Sequence, residues 1–408
     1  MKMYACIGCF LLMAGSSLAQ QKVSVSVHNS LPFERKGEMV EVAAKELNKL
    51  KLSATKKLVI RNAQGEEVPY QHTYDDKIIF QADVPAKSTE MYEFSTGTPK
   101  EVDTLACGRY YKERLDDIAW ENDKTAFRAY GPALQKRGEK AYGYDVFTKS
   151  VPYPVVEKRY AGQTSATNWA RVRALQAAGQ KEKAAAVQDS FTYHVDHGNG
   201  MDCYSVGPTL GGGTAALMAD TSIVYPYCYK DYEILDNGPL RFTLKLVFNP
   251  IAVKGDKQVV ETRVITLDAG SHLNRTNITY DNLSAPTPVC AGLVIHPQNP
   301  DGYAYSTSKR YIAYADSTDN VHRNNGVVYV GAVFARQPHK TGVQWFAKPH
   351  SGALGHVLGI DTYKPGTTFT YYWGSGWSKC GFPTPESWNN YLERYAQCIE
   401  HPLTVKIK

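Results

Sequence analysis

The densest group of chemically active side chains lies in residues 193–204, which read Tyr-His-Val-Asp-His-Gly-Asn-Gly-Met-Asp-Cys-Tyr. Two imidazoles and two carboxylates fall within nine residues of this segment. Imidazole titrates near neutral pH, and a tyrosine can be tuned to do so, so the segment suits proton transfer. The candidate catalytic residues are His194, His197, Tyr193 and Tyr204.

The same segment permits two other interpretations. His194, Asp196 and His197 could hold a divalent metal with His296 as a fourth ligand, although their spacing matches no established zinc motif. The segment could also be a polar loop that caps a sheet, with its histidines hydrogen-bonded and inactive. If residues 193–196 form a strand, His194 and Asp196 share one face. We favour proton transfer, and no cofactor is then expected.

A second cluster contains acidic residues next to a tryptophan and an arginine, in Asp-Asp-Ile-Ala-Trp-Glu-Asn-Asp from residue 116 and Phe-Arg-Ala-Tyr-Gly-Pro from residue 127. An aromatic face covers the apolar side of a pyranose, and a guanidinium binds a carboxylate through two hydrogen bonds. The alternative is a solvated turn in which Arg128 pairs with a neighbouring carboxylate. With three residues from elsewhere, the predicted substrate-binding residues are Arg128, Trp120, Glu121, Asn122, Asp123, Asp202, His296 and Trp373.

Two of these residues come from later segments. His296 follows the apolar run 292–295 and could face a cleft, although a single histidine at a strand end is more often structural. Trp373 lies in the aromatic run 371–377, which could line a sugar site or pack at the edge of a sandwich. The glycine run 211–213 lacks the lysine of a phosphate-binding loop, so we expect a tight turn there.

The elements that must position these residues are mainly strands. Short alternating runs fill residues 22–98, and longer ones include 241–248 and a hairpin formed by 259–267 and 273–280. We predict an all-β fold, with a small N-terminal β-sandwich followed by a large two-sheet antiparallel sandwich with few helical insertions. The predicted domains are 20–98 and 99–408, joined by a linker at 95–100. Helices are expected at 169–178, 182–188 and 387–399.

Residues 1–19 have the layout of a secretory signal peptide. Lys2 precedes an apolar run, and Ser17-Leu18-Ala19 supplies the small-residue exit, which predicts cleavage after Ala19. Cys9 stands too close to the amino terminus to mark a lipoprotein. We therefore expect a soluble, exported protein without a membrane anchor, in the periplasm or outside the cell.

Charge and cysteine content narrow the class of protein further. The formal net charge of the 408 residues is +6, which does not favour nucleic-acid binding. Two of the eight cysteines would leave with the signal peptide. The even number that remains permits disulfides in an oxidising compartment but does not define their pairing. The remaining cysteines are Cys107, Cys203, Cys228, Cys290, Cys380 and Cys398.

Three of the stretches described above resemble a known family. They are D-x-x-W-E-N-D from residue 117, F-R-x-Y-G-P from residue 127 and H-x-D-H-G-x-G-x-D from residue 194. They resemble the exported Bacteroidetes proteins catalogued as domain of unknown function 4861, over most of residues 100–400. The resemblance implies a fold similar to the galactose-mutarotase-like sandwiches of sugar epimerases and polysaccharide lyases. It also implies a role in uronate-polysaccharide breakdown, as one relative is an oligosaccharide dehydratase acting on a terminal uronic acid.

This resemblance and the chemistry of the residues together predict a carbon–oxygen lyase. The reaction removes the C5 proton of a uronic acid and expels water or a sugar from C4. It needs a base, an acid for the leaving oxygen, and a group that stabilises charge on the carboxylate, for which Arg128 is the candidate. His194 or His197 would be the base, and Tyr193 or Tyr204 the acid.

Two alternatives remain open at this point. A glycoside hydrolase needs paired carboxylates across the sugar, which Glu121 with Asp123, or Asp196 with Asp202, could supply. A carbohydrate-binding protein without turnover is also compatible with the pattern, because a fold does not dictate function. In each case the expected partner is an oligosaccharide containing uronic acid, short enough to have entered the periplasm.

Overall fold

The structure is a computed structural model that describes residues 21–317 and 323–408. This part of the chain is mostly β-strand in antiparallel sheets with few helices, so the all-β fold class is confirmed. The predicted signal peptide, residues 1–19, lies outside the described residues. Among the residues described, none of the helices has the length and apolar character needed to cross a bilayer.

The amino-terminal unit contains two antiparallel sheets that share one core. The first strand, β1 (Val23–His28), alternates apolar and polar residues, and it contributes Val23, Val25 and Val27 to this core. One sheet contains, in spatial order, β26 (Thr404–Ile407), β1 (Val23–His28), β7 (Thr89–Gly97), β3 (Lys57–Arg61) and β4 (Glu67–Val68). The other contains β2 (Arg35–Ala43), β6 (Lys77–Val84) and β5 (Tyr70–His72), and a 3-10 helix follows β2 at Ala44–Leu50.

The last strand of the chain belongs to this amino-terminal sheet. β26 pairs with β1 in antiparallel register, with Val25 opposite Ile407 and Val27 opposite Val405. Both carboxy-terminal side chains pack against the core of the unit. The predicted division at residues 98 and 99 remains a prediction, but the sheet formed by residues 22–97 also includes residues 404–407.

The large unit is an antiparallel sandwich of two sheets around one extensive core. The predicted hairpin is confirmed, since β17 (Asp256–Asp268) and β18 (Leu273–Asp281) pair directly. The larger sheet contains, in spatial order, β14 (Tyr229–Asn237), β15 (Arg241–Phe248), β17 (Asp256–Asp268), β18 (Leu273–Asp281), β25 (Phe369–Trp377), β22 (Val328–Phe334), β21 (Tyr311–Asp316) and β20 (Tyr303–Ser306), with β16 (Ile251–Val253) beside β17. The facing sheet contains β13 (Ser222–Val224), β12 (Gly212–Ala219), β19 (Thr287–Ile295), β24 (Ala353–Tyr363) and β23 (Lys340–His350).

A smaller sheet packs on the larger one and carries much of the acidic cluster. Its strands, in spatial order, are β11 (Asp145–Phe147), β10 (Ala126–Ala129), β9 (Asp117–Glu121) and β8 (Cys107–Tyr111). Every residue of β9, β10 and β11 is buried, including the charged ones. Buried charges need partners, so this sheet is the place to look for a polar centre.

Helices occur where the composition predicts them and at a few shorter insertions. The predicted helices at 169–178, 182–188 and 387–399 correspond to α3 (Ala166–Ala177), α4 (Lys181–Asp189) and α5 (Pro385–Glu400). Thr384 and Ser387 form a capping box at the start of α5. The helices are α1 (Pro132–Lys136), α2 (Val156–Gln163), α3 (Ala166–Ala177), α4 (Lys181–Asp189) and α5 (Pro385–Glu400), with a 3-10 turn at Lys112–Arg114.

Aromatic rings join the smaller sheet to the large core. Trp120 of β9 stacks on Phe242 of β15 at 6.1 Å and meets Trp373 of β25 edge to face at 6.3 Å. Trp373 also stacks on Tyr144 at 4.0 Å. Both tryptophans are fully buried. Such aromatic pairs contribute roughly 0.5–1.5 kcal/mol each beyond the area they bury, so this contact fixes the smaller sheet in place.

The strand that we considered for residues 193–196 is not formed. Residues 193–196 form turns instead of a strand. The side chain of Asp196 accepts the backbone N–H groups of Gly198 and Gly200, each at 2.9 Å, and this local bonding competes with strand pairing. His194 and Asp196 are therefore not placed on one face of a strand.

For the cysteines, the sequence permitted disulfides without requiring them. Cys107, Cys228, Cys290, Cys380 and Cys398 are free thiols, so the structure provides no disulfide framework from them. Burial raises the pKa of Cys290 to about 12 and that of Cys228 to about 11. Cys228 and Cys290 behave as small buried apolar groups, whereas Cys107, Cys380 and Cys398 are partly exposed.

Gly131 offers a direct test of how closely the loop before β9 packs. A Cβ at this position would lie 1.9 Å from the backbone oxygen of Asp116. Gly131→Ala must push that loop away, and we expect the free energy of unfolding to fall by about 2 kcal/mol in urea titrations. Gly342→Ala is the control, because nothing lies within 4 Å of its added methyl group. Equal stability of the two variants would contradict the close packing.

Candidate functional site

Arg128 lies at the centre of a buried polar cluster. β10 places it opposite Asp145 of β11, and its side chain is 4% exposed. Its Nη2 donates to the carboxylate of Asp145, to that of Asp202 at 3.1 Å and to the hydroxyl of Tyr130 at 3.2 Å. Tyr130 also donates to Asp145 at 3.0 Å. The guanidinium is therefore bound by carboxylates of the protein, as the second interpretation expected, but it lies in a buried strand and not in a solvated turn.

Three carboxylates and two guanidinium groups share this cluster. Asp117 lies 3.7 Å from Nη1 of Arg128 and 3.9 Å from Nη1 of Arg114. Burial raises the pKa of Asp117 to about 6 in spite of both arginines. Burial also raises the pKa of Asp145 to about 6, where the attraction of Arg128 opposes the shift and the charge of Asp202 adds to it. The cluster has one excess negative charge when fully ionised and takes up protons below about pH 6.

Tyr193 and His194 lie at the outer side of the cluster. The hydroxyl of Tyr193 accepts hydrogen bonds from Nη1 of Arg128 and Nε of Arg114, each at 3.2 Å. His194 has its Nδ1 3.0 Å from the backbone oxygen of Asp202, and 52% of its side chain is exposed. The structure thus brings together four residues that the sequence analysis selected, and His194 is the most exposed of them. The four are Arg128, Asp202, Tyr193 and His194.

His296 and Asp316 form a second pair of titratable groups. His296 follows β19, Asp316 ends β21, and Nδ1 of His296 lies 2.5 Å from Oδ2 of Asp316. The hydroxyl of Tyr314 accepts the backbone N–H of His296 at 3.0 Å and donates to its carbonyl at 3.2 Å. Because Asp316 engages Nδ1, Nε2 is the nitrogen that can exchange a proton with a ligand. This arrangement orients an imidazole as catalytic bases require.

Tyr204 lies between the two polar groups. Its ring centroid is 6.0 Å from that of His296. Burial raises the pKa of its phenol well above the ordinary value, and the charges of Asp316 and Asp145 add to the increase. The buried hydroxyl has no hydrogen-bond partner among the residues that the structure describes. The hydroxyl is buried as well as unpaired, so a ligand that accepted its hydrogen bond would have to enter the core beside His296.

The two tryptophans selected as sugar-binding residues do not reach the site. Trp120 and Trp373 are both 0% exposed, so neither ring can cover a pyranose in this structure. Their indole N–H groups donate to Asn274 and Thr276, each at 2.8 Å. Aromatic residues in strands pack a core as readily as they bind sugar, and here the contact with the smaller sheet buries them.

Glu121, Asn122 and Asp123 hold the scaffold together instead of facing a ligand. The carboxylate of Glu121 lies 2.7 Å from Nζ of Lys149 and accepts backbone N–H groups at the start of α2. Asn122 donates to the carbonyls of residues 268 and 271, at 2.6 and 2.7 Å, and Asp123 accepts the N–H of Gly270 at 2.6 Å. Their predicted role in substrate binding has no support in these contacts.

The loop that carries His197 and Asp196 does not form a metal centre. Nε2 of His197 lies 3.0 Å from the backbone oxygen of Thr192, while Asp196 accepts backbone N–H groups. Across residues 21–317 and 323–408, no three His, Cys, Asp or Glu side chains are arranged to hold a metal ion. His296 is engaged elsewhere, with Asp316. The metal interpretation therefore has no support in the described residues.

Several residues of the site were not selected from the sequence. Asp145 lies in the short buried strand β11, and its partner is set by the register between β10 and β11. Asp316 ends the strand Tyr311–Asp316, in which every residue is buried, and a carboxylate at the end of such an apolar, aromatic run was the available signal. Tyr130 belongs to the F-R-x-Y-G-P stretch but was not assigned a role. The residues missed are Asp117, Asp145, Asp316, Arg114, Tyr130 and Tyr314.

The fold and these two polar groups define an antiparallel β-sandwich protein with a buried, charged centre. The family described as domain of unknown function (DUF4861) matches residues 27–405, and the chain belongs to this family. The resemblance seen in the sequence is thereby confirmed. The uncharacterized protein P7 of Formosa agariphila is 27% identical over 407 residues, which cover 94% of this chain and 93% of that protein.

Two solved structures from Enterococcus faecalis are also similar. One is an alpha-mannosidase, with 10% identity and a TM-score of 0.42, and the match covers 95% of this chain and 46% of that one. The other is a protein in the glycosyl hydrolase family 38, with 9% identity and a TM-score of 0.42, and covers 95% of this chain and 47% of that one. This chain spans about half the length of both.

Replacing Glu121 separates a structural role from a role in sugar binding. Burial lowers the pKa of Lys149 against the attraction of Glu121, and Glu121→Ala would leave this ammonium without its carboxylate. We expect the free energy of unfolding in urea to fall by about 3–5 kcal/mol. The exposed Glu66 supplies the control, and Glu66→Ala should change it by less than about 0.5 kcal/mol. If Glu121→Ala keeps wild-type stability but no longer binds ligand, Glu121 is a substrate-binding residue as first predicted.

The raised pKa of Asp145 predicts a pH dependence of stability. A carboxyl whose pKa is higher in the folded protein than in the unfolded chain stabilises the fold at low pH, and this contribution is lost as pH rises through about 6. Asp145→Asn cannot titrate. The difference in unfolding free energy between wild type and Asp145→Asn should therefore change steadily between pH 4 and pH 7, to the disadvantage of wild type. A constant difference in urea titrations would contradict the shift.

Proposed function

We propose that this protein is a carbohydrate-active enzyme that acts on uronate oligosaccharides by β-elimination, as a dehydratase or lyase. The observation that carries the proposal is the His296–Asp316 pair beside the unpartnered hydroxyl of Tyr204. An oriented base and a protonated acid are two of the three groups that elimination requires, and the charged cluster around Arg128 is the candidate for the third, which stabilises the carboxylate. The assignment of the base moves from the loop at residues 193–204 to His296.

The reaction can be written on these residues. Nε2 of His296 takes the proton from C5 of the uronic acid, and the electron pair forms the C4–C5 double bond. The C4–O bond breaks, and the leaving oxygen takes its proton from Tyr204. Asp316 holds the imidazole through Nδ1 and stabilises its charged form. The products are an unsaturated uronate and either water or a shortened sugar chain.

The cluster around Arg128 suits an anionic substrate whose binding depends on pH. Arg128 is already paired with Asp145 and Asp202, so it does not present an open fork to a carboxylate. Proton uptake by Asp145 and Asp117 near pH 6 removes two negative charges and leaves both arginines charged. A substrate carboxylate is then attracted to the cluster from its outer side, where Arg114 and His194 are partly exposed.

Hydrolysis is the less favoured chemistry for this site. The two carboxylate pairs that could have served it are engaged elsewhere. Glu121 and Asp123 bind scaffold amides, Asp196 binds the amides of its own loop, and Asp202 binds Arg128. A carboxylate whose oxygens already accept several donors is a poor base for water. This favours a mechanism based on the imidazole and the phenol.

The setting we propose follows from the amino-terminal sequence. Residues 1–19 predict export and cleavage after Ala19, so the enzyme would work in the periplasm or outside the cell. An unanchored periplasmic enzyme encounters oligosaccharides that have already been cut and imported. We therefore propose short uronate fragments as substrates, with no cofactor.

The test uses a panel of di-, tri- and tetrasaccharides that end in glucuronic, galacturonic, mannuronic or guluronic acid. Absorbance near 235 nm and product mass are followed together. Loss of one water with new absorbance indicates a dehydratase, and chain scission with absorbance indicates a lyase. His296→Gln, Asp316→Asn and Tyr204→Phe should each lower kcat by at least about 100-fold while the melting temperature stays near that of wild type.

His194→Gln is the matched comparison, since it replaces the exposed imidazole of the same region. It should change kcat far less than His296→Gln does. If His194→Gln abolishes turnover and His296→Gln does not, the base is His194 and our assignment is wrong. Scission with gain of water and no absorbance would identify a hydrolase, and binding without any change in mass would contradict an enzyme.

A further inference from the structure

Three aromatic side chains are grouped at the open edge of the large sandwich. Tyr303 and Tyr305 lie on β20, and Trp345 lies on β23, the edge strands of the two facing sheets. The rings of Tyr303 and Tyr305 are nearly parallel at 6.2 Å, and Trp345 meets Tyr303 edge to face at 6.1 Å. Trp345 is 50% exposed and Tyr305 44%. We name these three residues the aromatic platform.

The fold accounts for the position of this platform. Tyr303 and Tyr305 are two residues apart on one strand and so point to the same face. Trp345 stands opposite Gly355 of β24, where a Cβ would lie 2.4 Å from the backbone oxygen of residue 344. Thr307 and Thr341 join the same two edges by a hydrogen bond of 2.6 Å. A hydrogen bond between threonines therefore joins the two edge strands, and the aromatic platform lies beside it.

The platform is continuous with the proposed catalytic pair. Tyr303 is the cross-strand partner of Tyr314, so their side chains lie side by side on one face. The hydroxyl of Tyr314 bonds the backbone of His296, and Asp316 follows two residues later on the same face of β21. This face is closed at Tyr314 and Asp316, which are 1% and 2% exposed, and opens at Tyr303, so a sugar chain with one ring at His296 would leave the core past Tyr303 towards Trp345.

We propose that the aromatic platform is a subsite for a sugar ring beyond the second in the oligosaccharide substrate. This inference rests on the proposed function and adds to it the requirement for a substrate of more than one or two rings. Exposed aromatic faces bind the apolar face of a pyranose. Trp345 and Tyr305 are about half exposed and together offer on the order of 200 Å². That area suits one or two sugar rings and is well below the roughly 800 Å² per partner of a stable protein interface.

The experiment compares tetrasaccharides with disaccharides of the same uronate series from the panel above. Trp345→Ala should lower the ratio of kcat/KM for the tetrasaccharide to that for the disaccharide roughly tenfold, and KM should carry the change. Trp345→Phe keeps an aromatic face and should recover most of the ratio. Tyr74→Ala is the control, since Tyr74 is 53% exposed on the amino-terminal unit. An unchanged ratio in Trp345→Ala would overturn the subsite.

Failure of the subsite and failure of the function give different results. If His296→Gln abolishes turnover but Trp345→Ala leaves the ratio unchanged, the enzyme stands and the subsite is wrong. If wild type turns over no member of the panel, calorimetric titration of wild type and Trp345→Ala with the tetrasaccharides tests whether the platform binds sugar. Binding that Trp345→Ala weakens roughly tenfold supports the platform on a non-catalytic protein. Equal binding by both proteins, or no binding by wild type, overturns it.

Discussion

Arg128 has almost no contact with solvent, so its charge must be compensated where it lies. The compensation comes from Asp145 on the neighbouring strand and from Asp202 on a loop more than 50 residues further along the chain. Removing either carboxylate would leave a buried positive charge with one partner fewer, which is costly. The pairing therefore fixes the loop that contains residue 202 against β10 and β11, and much of the site depends on that attachment.

The attachment also determines where the second polar group can act. Asp202 is bonded to Arg128 and forms a β-bridge with Phe147, and Tyr204 follows only two residues later. With Asp202 fixed, the ring of Tyr204 is directed towards His296, which belongs to the large sandwich. The loop attached to the smaller sheet and the large sandwich thus contribute one partner each to the proposed acid and base pair. The aromatic contact between Trp120 and Trp373 keeps these two parts in register.

The sequence was a good guide to elements and a poor guide to partners. Strands such as β15, β17 and β18 were predicted because one face is buried, which gives alternation with a period of two residues. Helices α3, α4 and α5 were predicted from composition. Nothing in a single sequence, however, gives the register that sets Asp145 opposite Arg128. Each such partner is chosen by tertiary packing.

Because a single sequence does not give tertiary partners, the roles of several residues were predicted wrongly or missed. His296 and Asp316 come from strands in different sheets, and only the packing of those sheets brings them within 2.5 Å. Trp373 had the pattern of a sugar-binding residue, but burial against the smaller sheet decides its role. Residues 193–196 departed from the expected strand because Asp196 binds the amides of its own loop. A local side-chain bond of this kind is hard to weigh against strand propensity.

The distribution of hydrogen bonds argues for the chemistry that we propose. The carboxylates of Glu121, Asp123 and Asp202 each serve a buried cation or a scaffold amide, and a change of protonation there would loosen the structure. His296 differs, because Asp316 engages one of its ring nitrogens and leaves the other to act. Tyr204 differs as well, since its hydroxyl is protonated and has no partner among the described residues. Unlike those carboxylates, the hydroxyl of Tyr204 holds no scaffold group among the described residues, and Asp316 engages His296 through Nδ1, which is why we place the reaction at these two residues.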